Sequence, residues 1–226
     1  MLLQTAHVHV FNPANPVMSM GVRLIFDSGS QWSYVTDKIK QLLSLDRQCV
    51  KTMLIKTFGS DKGSKQLCDV VLLGLNLRNG GNIRLPFLSV PLICEPLSDQ
   101  PITHAMENYE HLANLDLADH SHATDLLEVD VLIGSDHYWK LVTGEVVRSS
   151  DGPIAIQTKF GWVLSGPVQG LLCENTSCNL VTTHTLKVDM YTIGDSKQRL
   201  DSKMKMFSDK SFGIKEGEPD VYGEFE

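Results

Sequence analysis

The apolar residues of this chain come in short runs, and the sharpest run ends in an acid. Val22-Arg23-Leu24-Ile25-Phe26 leads into Asp27-Ser28-Gly29-Ser30. Leu24 and Phe26 point to one face of a strand and Ile25 to the other, so the segment predicts a strand buried on both sides, with Arg23 its only polar side chain. A second run, Glu128-Val129-Asp130-Val131-Leu132-Ile133 closing on Gly134-Ser135-Asp136, predicts another such strand far away in sequence. A short helix is expected after it over residues 136–141, with Ser135 as its cap. Further strands are expected at residues 7–10, 51–58, 66–75 and 83–93. Pro86 and Pro91 break the last of these and place it at a sheet edge. Asn12-Pro13-Ala14-Asn15-Pro16 is a turn. The polar, glycine-bearing stretch Gly59-Ser60-Asp61-Lys62-Gly63-Ser64-Lys65 joins two of the strands as a hairpin. Ile39, Leu42, Leu43 and Leu45 form one apolar stripe on a helix over residues 36–45, capped by Thr36 or Asp37.

Residues 95–128 are polar, acidic and mostly irregular, with a helix expected over residues 107–112. Residues 153–166 form a terminal strand pair. Beyond Val168 the chain turns polar and loses periodicity. One domain over residues 1–168 is therefore expected, followed over residues 169–226 by an irregular linker with one weak helix near residues 201–209.

Composition narrows the function classes. With 226 residues and 42% hydrophobic content the chain can bury one good core. A formal net charge of -7 supplies no basic stripe for a phosphate backbone, so nucleic-acid binding is not expected of this segment. No apolar run has the length of a membrane span, and the first residues lack a basic region ahead of a long hydrophobic stretch. Neither membrane association nor secretion is expected. The five cysteines, at positions 49, 68, 94, 173 and 178, form no even-numbered framework and suit reduced thiols in a cytoplasmic protein. Cys173, Cys178 and His184 are one ligand short of tetrahedral zinc, and His104, His111, His120 and His122 lie in a stretch that reads as a solvated insertion. No metal and no cofactor is expected.

Asp27 is an acid at the edge of a core. Burial there is costly for a carboxylate unless hydrogen bonds or a shared proton compensate, and acid–base catalysts arise in that way. Asp27-Ser28-Gly29 alone favours an ordinary turn in which Asp caps its own backbone. A phosphorylatable degradation signal needs a disordered setting, and flanks as apolar as Ile25, Phe26, Trp32 and Tyr34 do not provide one.

Taken in order, several segments carry a family resemblance. Asp27-Ser28-Gly29-Ser30 followed by Gln31-Trp32-Ser33-Tyr34-Val35, and Val131-Leu132-Ile133-Gly134-Ser135-Asp136-His137-Tyr138-Trp139, are the first two. With them go Leu2-Leu3-Gln4-Thr5-Ala6, His111-Leu112-Ala113-Asn114-Leu115-Asp116-Leu117-Ala118-Asp119, Gly152-Pro153-Ile154 and Phe160-Gly161-Trp162-Val163-Leu164-Ser165-Gly166-Pro167. The set resembles the protease of BEL/Pao-type retrotransposon polyproteins, a relative of the retroviral aspartic proteases, and covers most of residues 2–168. Met206-Phe207, Ser211-Phe212-Gly213-Ile214 and Val221-Tyr222-Gly223-Glu224-Phe225 resemble the lead-in to the reverse transcriptase of the same polyproteins.

The resemblance implies a mostly β, retropepsin-like closed barrel lobe with a flap hairpin and short helices. It implies an aspartic endopeptidase with Asp27 as the catalytic carboxylate. Ser28 would link two active loops through its hydroxyl, in a position where relatives often carry Thr, and Gly29 would let the backbones approach. Ser30 either donates to the ionised aspartate and tunes it or caps the turn before Trp32. Phe58, Gly59 and Gly63 form the tip of the flap, or else of a plain surface hairpin. Ile133 and Gly134 are structural neighbours of the site. Such an enzyme needs two carboxylates that share a proton. The chain has a single Asp-Ser-Gly, and Asp130 and Asp136 read as a strand-end residue and a cap. A second copy is therefore expected to supply the other aspartate in a C2 homodimer, acting on a polypeptide, first of all its own polyprotein, in the cytoplasm or in virus-like particles. The competing expectation is an inactive or domesticated module that dimerises or binds without turnover.

Overall fold

In the computed structural model, residues 1–56, 64–97, 101–120 and 127–169 are described, together with the backbone of residues 185–186. The fold is mostly β. Strands β1 (Thr5–Asn12) and β2 (Asn15–Phe26) form the first hairpin, in register from Thr5 opposite Ile25 to Phe11 opposite Ser19. Asn12 sets its turn: its side chain accepts from Ala14 N at 2.8 Å and donates to the Leu43 and Ser44 carbonyls at 3.0 Å. A three-residue strand β3 (Tyr34–Thr36) runs into helix α1 (Asp37–Leu42), whose N-cap is Thr36. The long arms β4 (Arg47–Lys56) and β5 (Ser64–Asn76) pair antiparallel, and β6 (Asn82–Val90) follows β5. Helix α2 (Ile102–Asn108) and a 3-10 turn over Glu110–Leu112 precede β7 (Val131–Ile133) and α3 (Ser135–Leu141). Strands β8 (Val142–Val147), β9 (Ile154–Thr158) and β10 (Gly161–Ser165) make a separate antiparallel sheet in the order β10-β9-β8. The short strand β11 (Thr185–Leu186) pairs with Lys56 and Ile55 of β4.

The large sheet runs β1-β2-β7-β3-β6-β5-β4-β11, and β5 also pairs with β1 through Val10–Leu75 and Phe11–Gly74. Gly74 permits that return, since a Cβ there would lie 2.3 Å from the Phe11 ring. At the centre β2 and β7 lie parallel, with Leu24, Ile25 and Phe26 opposite Val131, Leu132 and Ile133. The expected burial on both faces is present. Leu24, Phe26, Val131 and Ile133 join the main core with Phe87 and Tyr138. Ile25 and Leu132 face the other way and pack in a second core with Tyr34, Leu88 and Leu127. Arg23, the polar exception in the strand, is paired with Asp119 at 2.8 Å, and the Asp119 side chain is 3% exposed.

Several expectations are corrected. The strand carrying Pro86 is interior, with β5 on one side and β3 on the other. Leu88 N donates to Ser33 O on the β3 side, so strand alternation turns the Pro86 nitrogen the same way, to a level that β3 does not reach. The missing donor therefore breaks no ladder, and the Pro86 carbonyl is bonded to His137 Nε2 at 2.9 Å. The helix in the acidic segment spans Ile102–Asn108, ahead of the expected 107–112, where a 3-10 turn stands. Nor is that segment wholly solvated: Ile102, Ala105, Leu112 and Leu117 are buried in a third core. The helix after β7 begins at Ser135 with Gly134 at its N-cap and no side-chain cap, so Ser135 is not the cap. Strand β8 was not anticipated. The hairpin tip with Phe58, Gly59 and Gly63, and the helix expected near residues 201–209, lie outside the described residues. Among the described residues no helix is long and apolar enough to cross a membrane.

Candidate active site

Asp27 is the first residue after β2, where the apolar run stops and the turn residues begin. Its N–H donates to the Ile133 carbonyl at 2.9 Å, which carries the β2–β7 ladder one step past the strand. Its Oδ1 accepts the Gly29 N–H at 2.9 Å, and Ser30 N donates to the Asp27 carbonyl at 3.2 Å. This is the local Asp turn that the tripeptide favours. Oδ2, by contrast, is buried and has no hydrogen-bond partner among the described residues. Ser28 and Gly29 are exposed beside it. One carboxylate oxygen is thus anchored to its own turn, while the other is buried and unpaired among the described residues.

The turn is tied to the end of β7. Ser135 N donates to Ser30 O at 2.8 Å, and Gly134 N donates to Ser33 Oγ at 2.9 Å. Ser33 Oγ in turn donates to Asp136 Oδ1 at 2.6 Å, and Ser33 N donates to Asp136 Oδ2 at 3.2 Å. Gly134 allows the two segments to meet, because a Cβ there would stand 2.3 Å from the Trp32 carbonyl oxygen and 3.0 Å from that of Ser30, both of them backbone atoms. The structure thus brings Asp27, Ser28, Gly29, Ser30, Ile133 and Gly134 together at one junction. Ser33 and Asp136 belong with them and were missed as site residues. The available signal was the Ser/Asp pairing of two turn segments, which no local pattern reveals.

Ser30 takes the second of the two roles left open for it. Its hydroxyl is buried and donates to the Trp32 carbonyl at 2.9 Å, so its one proton caps the turn and does not reach the Asp27 carboxylate. Asp130, at the start of the β7 segment, accepts from Thr36 Oγ1 at 3.1 Å, and its own N–H donates to Arg23 O.

The wall beside the junction is apolar but carries polar tips. Trp32 lies under the Lys51 ammonium of β4, 4.5 Å from its ring centroid. Tyr34 is buried, and loss of solvent, followed by the nearby Cys68 and Asp136, raises its phenol well above the usual range. The Cys68 thiol is pushed up to about 11 by burial and then by Asp37 and Asp69. Among the described residues no group of three or more His, Cys, Asp and Glu could hold a metal ion. The three described cysteines, Cys49, Cys68 and Cys94, are free thiols.

Residues 8–170 match the model of the family described as Putative peptidase (DUF1758), a span that includes Asp27, Ser33, Gly134 and Asp136. No curated protein and no solved structure matches the chain. By the extent of the family match, the chain belongs to the DUF1758 family.

Proposed function

We propose that this chain is an aspartic endopeptidase whose active unit is a homodimer, each copy contributing Asp27. The observation that carries this reading is the split environment of the Asp27 carboxylate: Oδ1 is held by Gly29 N–H, while Oδ2 is buried with no partner among the described residues. A lone buried carboxylate oxygen is costly, and a second carboxylate sharing one proton with it removes that cost. The other carboxylates near the junction are engaged elsewhere. Both oxygens of Asp136 accept from Ser33, and Asp130 accepts from Thr36. Asp27 of a second copy, brought up across a two-fold axis, would complete the pair, with the exposed Ser28 and Gly29 forming the contact.

In that arrangement the ionised Asp27 takes a proton from a water molecule as the water oxygen attacks the scissile carbonyl. The protonated Asp27 gives its proton to the carbonyl oxygen, so the tetrahedral species is a gem-diol. As the C–N bond breaks, the Asp27 that took the water proton gives it to the leaving amine, and the other Asp27 takes a proton back from a gem-diol hydroxyl, which restores the pair and leaves a carboxylic acid and an amine. The anchored backbone of residues 27–33 and 133–136 holds both carboxylates in place for this exchange.

The return of the sheet ladder from β5 to β1 supports reading the domain as the closed barrel lobe of a retropepsin-like enzyme, with the β4–β5 arms as the base of its flap. We assign the substrate as a polypeptide, first of all a retrotransposon polyprotein of the BEL/Pao type containing this segment, processed in the cytoplasm. Incubation of the purified protein with a peptide library at mildly acidic pH, beside Asp27→Asn, tests the reading. Hydrolysis by the parent and none by the folded variant is expected. A folded parent that cleaves nothing, as a non-catalytic dimerisation or binding module would, overturns it.

A further inference from the structure

Three buried polar atoms on this wall have no hydrogen-bond partner among the described residues: Asp27 Oδ2, Trp32 Nε1 and Tyr34 OH. All three come from the eight positions that follow β2, and they share a side of the sheet. Tyr34 stands opposite Leu132, and Leu132 stands opposite Ile25. Side chains opposite one another in a ladder lie on one face, and Ile25 precedes Asp27 by two positions, so Tyr34 belongs to the face from which Asp27 emerges. Trp32 packs against the same second core as Tyr34. Tyr34 is 8% exposed, and its hydroxyl, with Cys68 and Asp136 nearby, is buried without a hydrogen-bond partner among the described residues, where an unpaired donor is disfavoured. An indole N–H can only donate, and a hydroxyl offers one proton. The wall next to Asp27 therefore presents two donors that no described residue uses.

We propose that Trp32 Nε1 and Tyr34 OH are the donors of a side-chain subsite that selects a peptide residue carrying a hydrogen-bond acceptor, such as Asn, over an apolar residue of the same shape, such as Leu. This deepens the aspartic-peptidase reading and rests on it for the identity of the ligand. Ile25 and Leu132 pack in the same core as Tyr34, so the surroundings of these donors include apolar side chains. A site built to hydrogen-bond a ligand group discriminates strongly against the isostere lacking it, because its donors are then left buried and unpaired. The Lys51 ammonium lies over the Trp32 ring, 4.5 Å from its centroid, and has no acceptor to offer the indole N–H.

The test is equilibrium binding to full-length Asp27→Asn, which separates recognition from hydrolysis. Fluorescent hexapeptides are used in pairs, with Asn or Leu at each position in turn. The proposal expects at least one position where Asn binds about tenfold or more tightly than Leu. Adding Tyr34→Phe or Trp32→Phe should reduce that preference to about twofold or less. Tyr34→Phe should melt no lower than its parent, since its hydroxyl has no partner among the described residues to lose. Absence of an Asn preference, a preference untouched by both variants, no binding by any peptide, or a clear fall in Tm for Tyr34→Phe would each overturn the subsite. Hydrolysis by the wild-type protein alongside any of these would leave the peptidase reading standing.

Discussion

Asp136 receives two hydrogen bonds from Ser33, from its hydroxyl at 2.6 Å and from its backbone N–H at 3.2 Å. Because Ser33 Oγ also accepts from Gly134 N, one carboxylate closes the turn that bears Asp27 onto the end of β7. Asp136 touches no reacting atom in this account. It positions the backbone that carries the acid.

Asp136→Ala should therefore lower kcat on the order of tenfold to a hundredfold with a smaller change in KM, because the turn loses its register and not its contact with substrate. It should also cost about 1–3 kcal/mol of stability by leaving the Ser33 donors unpaired. Asp136→Asn keeps an acceptor for the hydroxyl and should recover most of the loss. Steady-state kinetics and urea unfolding of the two variants check this. Equal losses in kcat for Asn and Ala would contradict the brace.

Ser30→Ala removes a hydroxyl bonded to the Trp32 carbonyl. The expected result is a loss of about 1 kcal/mol of stability and an unmoved acidic limb of the pH–rate profile, since no bond to the Asp27 carboxylate is lost. A shifted acidic limb would show that the hydroxyl reaches the catalytic charge after all.

These two residues mark what the sequence can and cannot tell. The β2 and β7 strands are legible because each is an apolar run ending in turn residues, and the Asp27 turn is legible because Asp-Ser-Gly favours that geometry locally. The Asp136 brace joins residues 103 apart, and nothing in a linear pattern reports that meeting. Ser30 had two readings in the sequence, and its hydroxyl donates to the Trp32 carbonyl. Pro86 was assigned to an edge because its rule concerns neighbours, and β3 is too short to reach it. Helix α2 buries only Ile102 and Ala105, too few to display a helical period. Strand β8 is exposed along its middle, Thr143 to Val146, so it lacks the alternation that marks a half-buried strand.

Cys68 and Cys49 should differ sharply in reactivity. Cys49 is exposed, whereas Cys68 is buried with its thiol pushed up to about 11. Alkylation of the native protein at neutral pH, followed by mass spectrometry, should label Cys49 and spare Cys68 until the chain is unfolded. The folded state binds the Cys68 proton more tightly than the unfolded state, whose ordinary value is 9.0. That contribution to stability is fully present below pH 9 and is lost as pH rises through the window to about 11. The urea midpoint should fall across that window. Labelling of both thiols at one rate would contradict the burial.

The proposed shared active site is tested most directly by mixing wild-type protein with Asp27→Asn at fixed total concentration, in the range where dimers form. If each site needs Asp27 from both copies and the mixed dimer is inactive, an equal mixture retains about one quarter of the wild-type hydrolysis rate, because only that fraction of dimers carries two aspartates. A rate of about one half, falling in simple proportion to the wild-type fraction, would mean that each chain works alone and would contradict the shared site.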